Sequence, residues 1–485
     1  MRYWDIAQQL HPEARESGQP SYWLRLARQL ARPSFSAVGG EGIDPDLATM
    51  LGMRGSPGRR LTGHWPKTMH CIGTLGAGGA ERQLVNLMTE LARRGHRKQT
   101  LLTIYPLEGD GAHYKHLLED YPIDIRLNNS PIREEGVELI RSNPQIVRLI
   151  RRLPANFHAW TLDLWVDISL IQPDIAHFWL DHPNIWGAPA ALLAGVPSII
   201  LSTRNVNPQN FPYLYSPYMH PWYVWLSRCP RVHFINNSQA GAQSYADWMG
   251  VAADKFEVVL NGVNLSHLHA ADQNERKEVR DELHLPADAP VVVGAFRMSE
   301  EKRPLLFVDT FAKALRARPD AHAVLMGVGP LFEDVRQRAR QLGIAERFHC
   351  LGRRGDLPRV MSAMDVFLHT AWWEGTPNVV LEAQQLGLPV VVSKGGGAAD
   401  AVDHGRTGLL IDRESEDALA EALIDVLSSL GAWKAKAANG PNFIQERFSI
   451  DRMVDQTLDF QRRSLWVASA TPRSMSPSLV STTSG

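Results

Sequence analysis

From residue 67 onward, short apolar runs alternate with longer segments that carry apolar residues on one helical face. Thr68–Gly73 reads as a buried strand. A glycine-rich turn follows, and then Leu84, Leu87, Met88 and Leu91 at offsets 0, 3, 4 and 7, the stripe of an amphipathic helix. Gly95 suits that helix's C-terminal cap. Further strands are predicted at Thr100–Tyr105, Asp174–Phe178, Ser198–Ser202, Phe234–Asn236 and Phe256–Leu260, with helical patterns between them. A second alternation starts at Val291, with strands at VVVGAF, Ala323–Met326, Phe348–Leu351, Asp365–His369 and Val390–Val392, and a helix over Pro304–Leu315. Strands alternating with helices predict an α/β protein with parallel, doubly wound sheets.

The two alternations divide the chain. Residues 1–66 read as an N-terminal extension, 67–275 as a first Rossmann-like domain and 276–448 as a second. Residues 449–465 read as a helix crossing back to the first domain, and 466–485 as a disordered Ser/Thr/Pro-rich tail. Asp44-Pro-Asp46 has the D-x-D form of a metal site but no strand before it, so no metal is assigned.

Composition narrows the function classes. With 485 residues, one ordinary core is exceeded. The 51 basic and 52 acidic residues balance, so no nucleic-acid partner is implied. Cys71, Cys229 and Cys350 make neither a zinc pattern nor a disulfide framework, which fits a reducing cytoplasm. The N-terminal residues show no secretory pattern, and the longest apolar run, Gly187 to Leu201, is broken by prolines. Any membrane contact is expected to be peripheral, at the inner face. The basic amphipathic stretch Pro144–Leu153 and the aromatic-rich Phe211–Leu226 are the segments that suit it or a sugar acceptor.

The candidate chemistry centres on Glu374-Gly-Thr-Pro-Asn-Val-Val-Leu-Glu382, two glutamates eight positions apart. Pro377 fits the first helical position, which puts Glu374 on the preceding loop and Glu382 about a turn inside the helix. The free N–H groups between them suit an anion or a sugar hydroxyl. If helical, eight residues span about 12 Å, wide for a hydrolase acid/base pair and suited to opposite ends of a nucleotide sugar. Arg297 and Lys302 follow the VVVGAF strand, where two cations can stabilise a diphosphate leaving group without a metal. Glu382 can accept hydrogen bonds from ribose hydroxyls. Gly78 and Gly79 let backbone approach a diphosphate at a helix start. Glu81 takes the third glycine's place in G-x-G-x-x-G, which disfavours a nicotinamide site.

The stretch EGTPNVVLEAQQLGLPVVVS, with Arg297-x4-Lys302 and GAGGAERQ (Gly76–Gln83), resembles the family-4 retaining glycosyltransferases, or glycosyl transferases group 1. The resemblance spans roughly residues 67 to 465. It implies a GT-B fold, two Rossmann-like domains facing a central cleft. It also implies transfer of a hexosyl group with retention, from a UDP-linked sugar to a glycan or lipid-linked hydroxyl, in polysaccharide or lipopolysaccharide synthesis. The donor is a substrate, and no cofactor or metal is implied. On this likeness Glu374, Gly375, Thr376, Pro377 and Asn378 contact the sugar. Asn261-Gly262-Val263 resembles the family's interdomain turn, and Arg204 and Asn205 are expected on the acceptor side. Members often carry a His after the strand read here at Asp174–Phe178, and that His touches the donor sugar. Here His182 is favoured over His177, and Trp179 stands where a second His is common. Arg353 and Arg354 are expected near the base. Two rivals remain: a sugar-nucleotide 2-epimerase, which shares the architecture, and a non-catalytic nucleotide-sugar-binding scaffold.

Overall fold

Continuous apolar runs become strands buried on both faces, and the amphipathic segments between them become the covering helices. A computed structural model describes residues 65–129, 133–153, 157–265, 268–412 and 414–470. The Asp44–Asp46 triplet and the chain beyond 470 lie outside the described residues.

The first half forms a seven-stranded sheet from β1 (Thr68–Ile72), β2 (Gln99–Thr103), β3 (Ile123–Leu127), β4 (Ile175–Trp179), β5 (Ser198–Thr203), β6 (Val232–Asn236) and β7 (Phe256–Val258). Its order is β3-β2-β1-β4-β5-β6-β7. The second half forms a six-stranded sheet from β8 (Val291–Ala295), β9 (His322–Met326), β10 (Phe348–Gly352), β11 (Val366–His369), β12 (Val390–Lys394) and β13 (Gly408–Asp412), in the order β10-β9-β8-β11-β12-β13. Every pairing in both sheets is parallel. The strand order reverses beside β1 and beside β8, and the carboxyl ends of the strands open a crevice at such a point.

The strand pattern foretold neither β3 nor β13. Both are edge strands. β3 reads IDIRL, alternately exposed and half-buried, so it lacks the continuous apolar run of a central strand.

The helix Ile450–Ala470 places Met453, Val454, Leu458 and Phe460 in one core with Ile72, Leu84 and Trp179 of the first half. Its Ser464 hydroxyl meets that of Ser198 at 2.7 Å, and Arg94 pairs with Asp451 and Asp455 at 2.5 Å each. Where the chain crosses between the halves, Val263 lies beside Ser449, and its N–H donates to the Phe448 carbonyl at 2.7 Å.

The helix Pro144–Ile150 turns Ile146, Val147, Leu149 and Ile150 into the core and leaves Arg148 exposed, so its apolar face is not available to a bilayer. In the aromatic stretch Trp222 and Tyr223 are core residues, while Tyr213 and Leu214 are exposed. Among the described residues no helix is long and apolar enough to cross a membrane.

Candidate active site

Two loops at the carboxyl ends of β8 and β11 are stitched together. The Arg303 guanidinium stacks on Trp372 at 4.5 Å and donates to the Thr370 carbonyl and the Ser393 hydroxyl, each at 2.7 Å. The Thr370 hydroxyl donates to the Lys302 carbonyl at 2.9 Å, and the Trp372 N–H to the Glu301 carbonyl at 2.7 Å. These bonds bring Lys302 to Glu374. Its ammonium sits 2.6 Å from Glu374 Oε1, and His369 Nε2 approaches the same oxygen at 2.9 Å. Glu374 is only 8% exposed. Burial opposes its charge, but Lys302 and His369 together outweigh that and hold the carboxyl at about 2, below its ordinary 4.5.

The ionised carboxylate adds stability that is complete above pH ~4.5 and is lost as pH falls toward 2. Acid unfolding followed by circular dichroism should therefore depend less steeply on pH in Glu374→Gln than in the wild type. Coincident curves would remove this carboxylate from the account.

Beyond the turn, the helix runs Asn378–Gln385. Pro377 is its N-cap and not its first residue, a correction to the sequence expectation. Its ψ of 102° is extended, so it supplies the first carbonyl, which accepts from the Val380 N–H at 3.1 Å, while helical dihedrals begin at Asn378. Glu382 therefore stands one turn inside. Its Oε1 pairs at 2.5 Å with Arg82 of the first half. Burial raises its pKa against the pull of Arg82.

A buried polar network joins the halves beneath these carboxylates. Asn378 Oδ1 accepts from Asn261 Nδ2 at 2.7 Å and from Gln83 Nε2 at 3.1 Å. Gln83 also exchanges two bonds with the Gly262 backbone, at 2.8 and 3.0 Å. Asn261 donates to the Thr376 carbonyl at 3.0 Å and accepts from Arg204 at 2.6 Å, and the Thr376 hydroxyl donates to the Asn237 carbonyl. The Asn378 amide and the Thr376 hydroxyl thus hold the turn in place and do not stand free for a sugar, contrary to the sequence expectation. At Gly375 the halves pack closely against each other. A Cβ there would lie 2.3 Å from the Arg204 carbonyl oxygen and 2.7 Å from the Asn237 amide. Gly375→Ala is expected to cost about 1–3 kcal/mol by overpacking. Chemical denaturation reads this directly, and an unchanged midpoint would contradict the close approach.

The other expected residues fall variously. Gly78 caps the helix Gly79–Arg93, but its open side is filled by the Glu81 carboxylate, 2.0 Å from where a Cβ would be. The anion at that helix start is therefore the chain's own. A Cβ at Gly79 would lie 3.1 Å from the Asn378 amide nitrogen. Arg297 is exposed near Tyr213, whose hydroxyl donates to Glu301 at 3.3 Å. Among the described residues Arg297 has no ion pair.

His182 is not gathered into the group. Its ring packs on Trp186 at 5.0 Å, and no hydrogen bond ties it to Lys302 or Glu374. His177 is 1% exposed, stacked on Trp179 at 4.8 Å and kept neutral by burial. Arg353 pairs with Asp110 at 2.7 Å, and Arg354 with Asp356 and Glu282, both at 2.8 Å.

The sequence alone points to no role for Arg82, Gln83 or His369, and to Asn261 only as part of a turn. Arg82 and Gln83 close the Gly76–Gln83 motif, and His369 ends a strand expected there. Those were the available signals.

A model of the glycosyl transferases group 1 matches residues 289–429, and one of glycosyltransferase family 4 matches residues 77–267. A Vi polysaccharide biosynthesis protein of Salmonella typhi (VipC/TviE) is 29% identical over 416 residues, 82% of this chain and 72% of that protein. A UDP-Gal:α-D-GlcNAc-diphosphoundecaprenol α-1,3-galactosyltransferase of Escherichia coli is 28% identical over 295 residues, 59% of this chain and 74% of that enzyme. Among solved structures, Anabaena HepE in complex with UDP and glucose has a TM-score of 0.67 at 22% identity, covering 82% of this chain and 100% of that one, a likeness of fold. With a family model on each half and its two sheets facing one cleft, the chain belongs to the glycosyltransferases of group 1 and family 4 and is a glycosyltransferase of the GT-B fold.

Proposed function

We propose that this glycosyltransferase moves a hexosyl group, with retention, from a UDP-linked sugar to a glycan or lipid-linked hydroxyl in the synthesis of cell-surface polysaccharide or lipopolysaccharide. The observation that carries the reading is the placement of Lys302, His369 and Glu374 on one side of a turn and Glu382 on the other. Glu382 receives the ribose. Glu374 meets the sugar hydroxyls, with the Gly375–Pro377 backbone beside it. Lys302 and Arg297 take up the charge that grows on the departing diphosphate, so no metal is needed. The diphosphate is assigned to these cations and not to Gly78, because Glu81 fills that glycine's open side. The leaving phosphate takes the acceptor's proton on the same face. His182, which the structure leaves outside the group, is given no catalytic role.

The names of the relatives support the setting. The Escherichia coli relative's name gives a UDP-linked donor and a lipid diphosphate acceptor, and the Salmonella relative's a polysaccharide. A GDP-mannose-dependent mannosyltransferase of Mycobacterium tuberculosis, 30% identical over 228 residues, makes the base a point for experiment. The reading puts the enzyme in the cytoplasm against the inner membrane face. Exposed Tyr213 and Leu214 near Arg297 are where a lipid-linked acceptor would approach.

The test is transfer itself. Purified protein in excess EDTA is given UDP-hexoses and a membrane extract as acceptor, and the anomeric configuration of the product is read by NMR. Retained configuration with EDTA present supports the reading. An inverted product, or transfer only with added metal, would overturn the mechanism. Conversion of the donor without any acceptor would favour the epimerase.

A further inference from the structure

Glu382 is held by one oxygen only. Arg82 Nη1 grips Oε1 at 2.5 Å, while Oε2 is buried and has no hydrogen-bond partner. A charged oxygen kept from water with nothing to accept from marks a site that a ligand completes. Arg82 lies in the first turn of the helix Gly79–Arg93, in the opposite half of the molecule from Glu382. Gln83, its neighbour, is bonded to Gly262 and Asn378, which fixes the helix start against the turn and keeps Arg82 in reach.

We propose that Arg82 is a positioning residue of the donor site: it ties down Oε1 of Glu382 from the opposite half and so orients the carboxylate that accepts from the ribose. The inference rests on the donor reading above and goes beyond it by giving Arg82, which that reading does not use, a part in the site.

Arg82 has a second consequence. Burial works against the charge on Glu382, and Arg82 is the group that opposes it. The N-terminal half also brings Tyr114 and Glu81 near Arg82, and Tyr114 feels the charge of both partners. The segments packed on the helix Asn378–Gln385 carry Arg359, His369, Lys394, Glu446 and Arg447. None of these is paired with Glu382; Arg359 is bound to Glu282 and Asp356, and His369 to Glu374. Removing Arg82 therefore leaves the carboxylate without a counter-charge and more readily protonated. An acceptor that protonates binds ribose less well as the pH falls.

The experiment is calorimetric titration with UDP on proteins whose melting temperatures show them folded. Arg82→Gln should weaken UDP about tenfold or more, with the loss growing as the pH is lowered from 8 to 6, and Arg82→Lys should recover most of it. Glu382→Gln should show no such pH dependence, and adding Arg82→Gln to it should cost little more. A loss in Arg82→Gln that is independent of pH and additive with Glu382→Gln would mean a merely structural residue and overturn the proposal, as would no loss at all. Absence of UDP, GDP and ADP binding by the wild type would overturn the donor reading itself.

Discussion

Lys302→Ala is expected to lower turnover at saturating donor about 10²–10³-fold, while nucleoside diphosphate affinity falls much less. The reason is where the charge appears. In the ground state the Lys302 ammonium is already paired at 2.6 Å with Glu374, so little of its attraction is free for the bound donor. As the glycosidic bond breaks, negative charge grows on the diphosphate beside it. A cation fixed by the Thr370 bonds to the Lys302 and Arg303 carbonyls meets that charge without reorganising. Initial rates at saturating donor, set beside a calorimetric titration, separate the two effects. Wild-type turnover in Lys302→Ala would take this residue out of the mechanism.

Glu374→Ala is expected to have the other large effect, on stability and turnover together. Truncating one member of a buried ion pair costs about 3–5 kcal/mol, because the other is left uncompensated. Here one truncation strips the partner from both Lys302 and His369, with Glu374 itself 8% exposed. Turnover should fall at least as far as in Lys302→Ala, since the sugar contact and the placement of the lysine are lost together. Because the two residues form one unit, Lys302→Ala combined with Glu374→Ala should cost less than the sum of the single changes. Denaturant unfolding and initial rates on the three variants check this. Additive effects on both would contradict the shared role.

Much of the fold is legible because central strands of a parallel sheet are continuous apolar runs, as in β1, β4 and β8. β3 and β13 escape that rule as edge strands, one alternating and the other only half-buried along most of its length. The two glutamates are legible because motif and local geometry coincide within nine residues of chain. Their partners are not. Arg82 and Gln83 meet Glu382 and Asn378 across some 300 positions of sequence, and only the docking of one half on the other puts them there. The same docking consumes the Asn378 amide and the Thr376 hydroxyl, which a reading of the motif alone leaves free for a sugar. His182 is not bonded to Lys302 or Glu374 for a related reason. Position after a strand fixes which end of the sheet a residue occupies, but the packing of its ring on Trp186 is decided by the neighbouring helix.

The proposed nucleotide-sugar donor site lies in the second half, with Glu382 as its ribose acceptor. Its most direct test is a calorimetric titration of the wild type and Glu382→Ala with UDP, GDP and ADP in the presence of EDTA. The account predicts that UDP binds the wild type without metal and binds Glu382→Ala about tenfold or more weaker. Equal UDP affinity in the two proteins, or no nucleotide binding by the wild type, would contradict it.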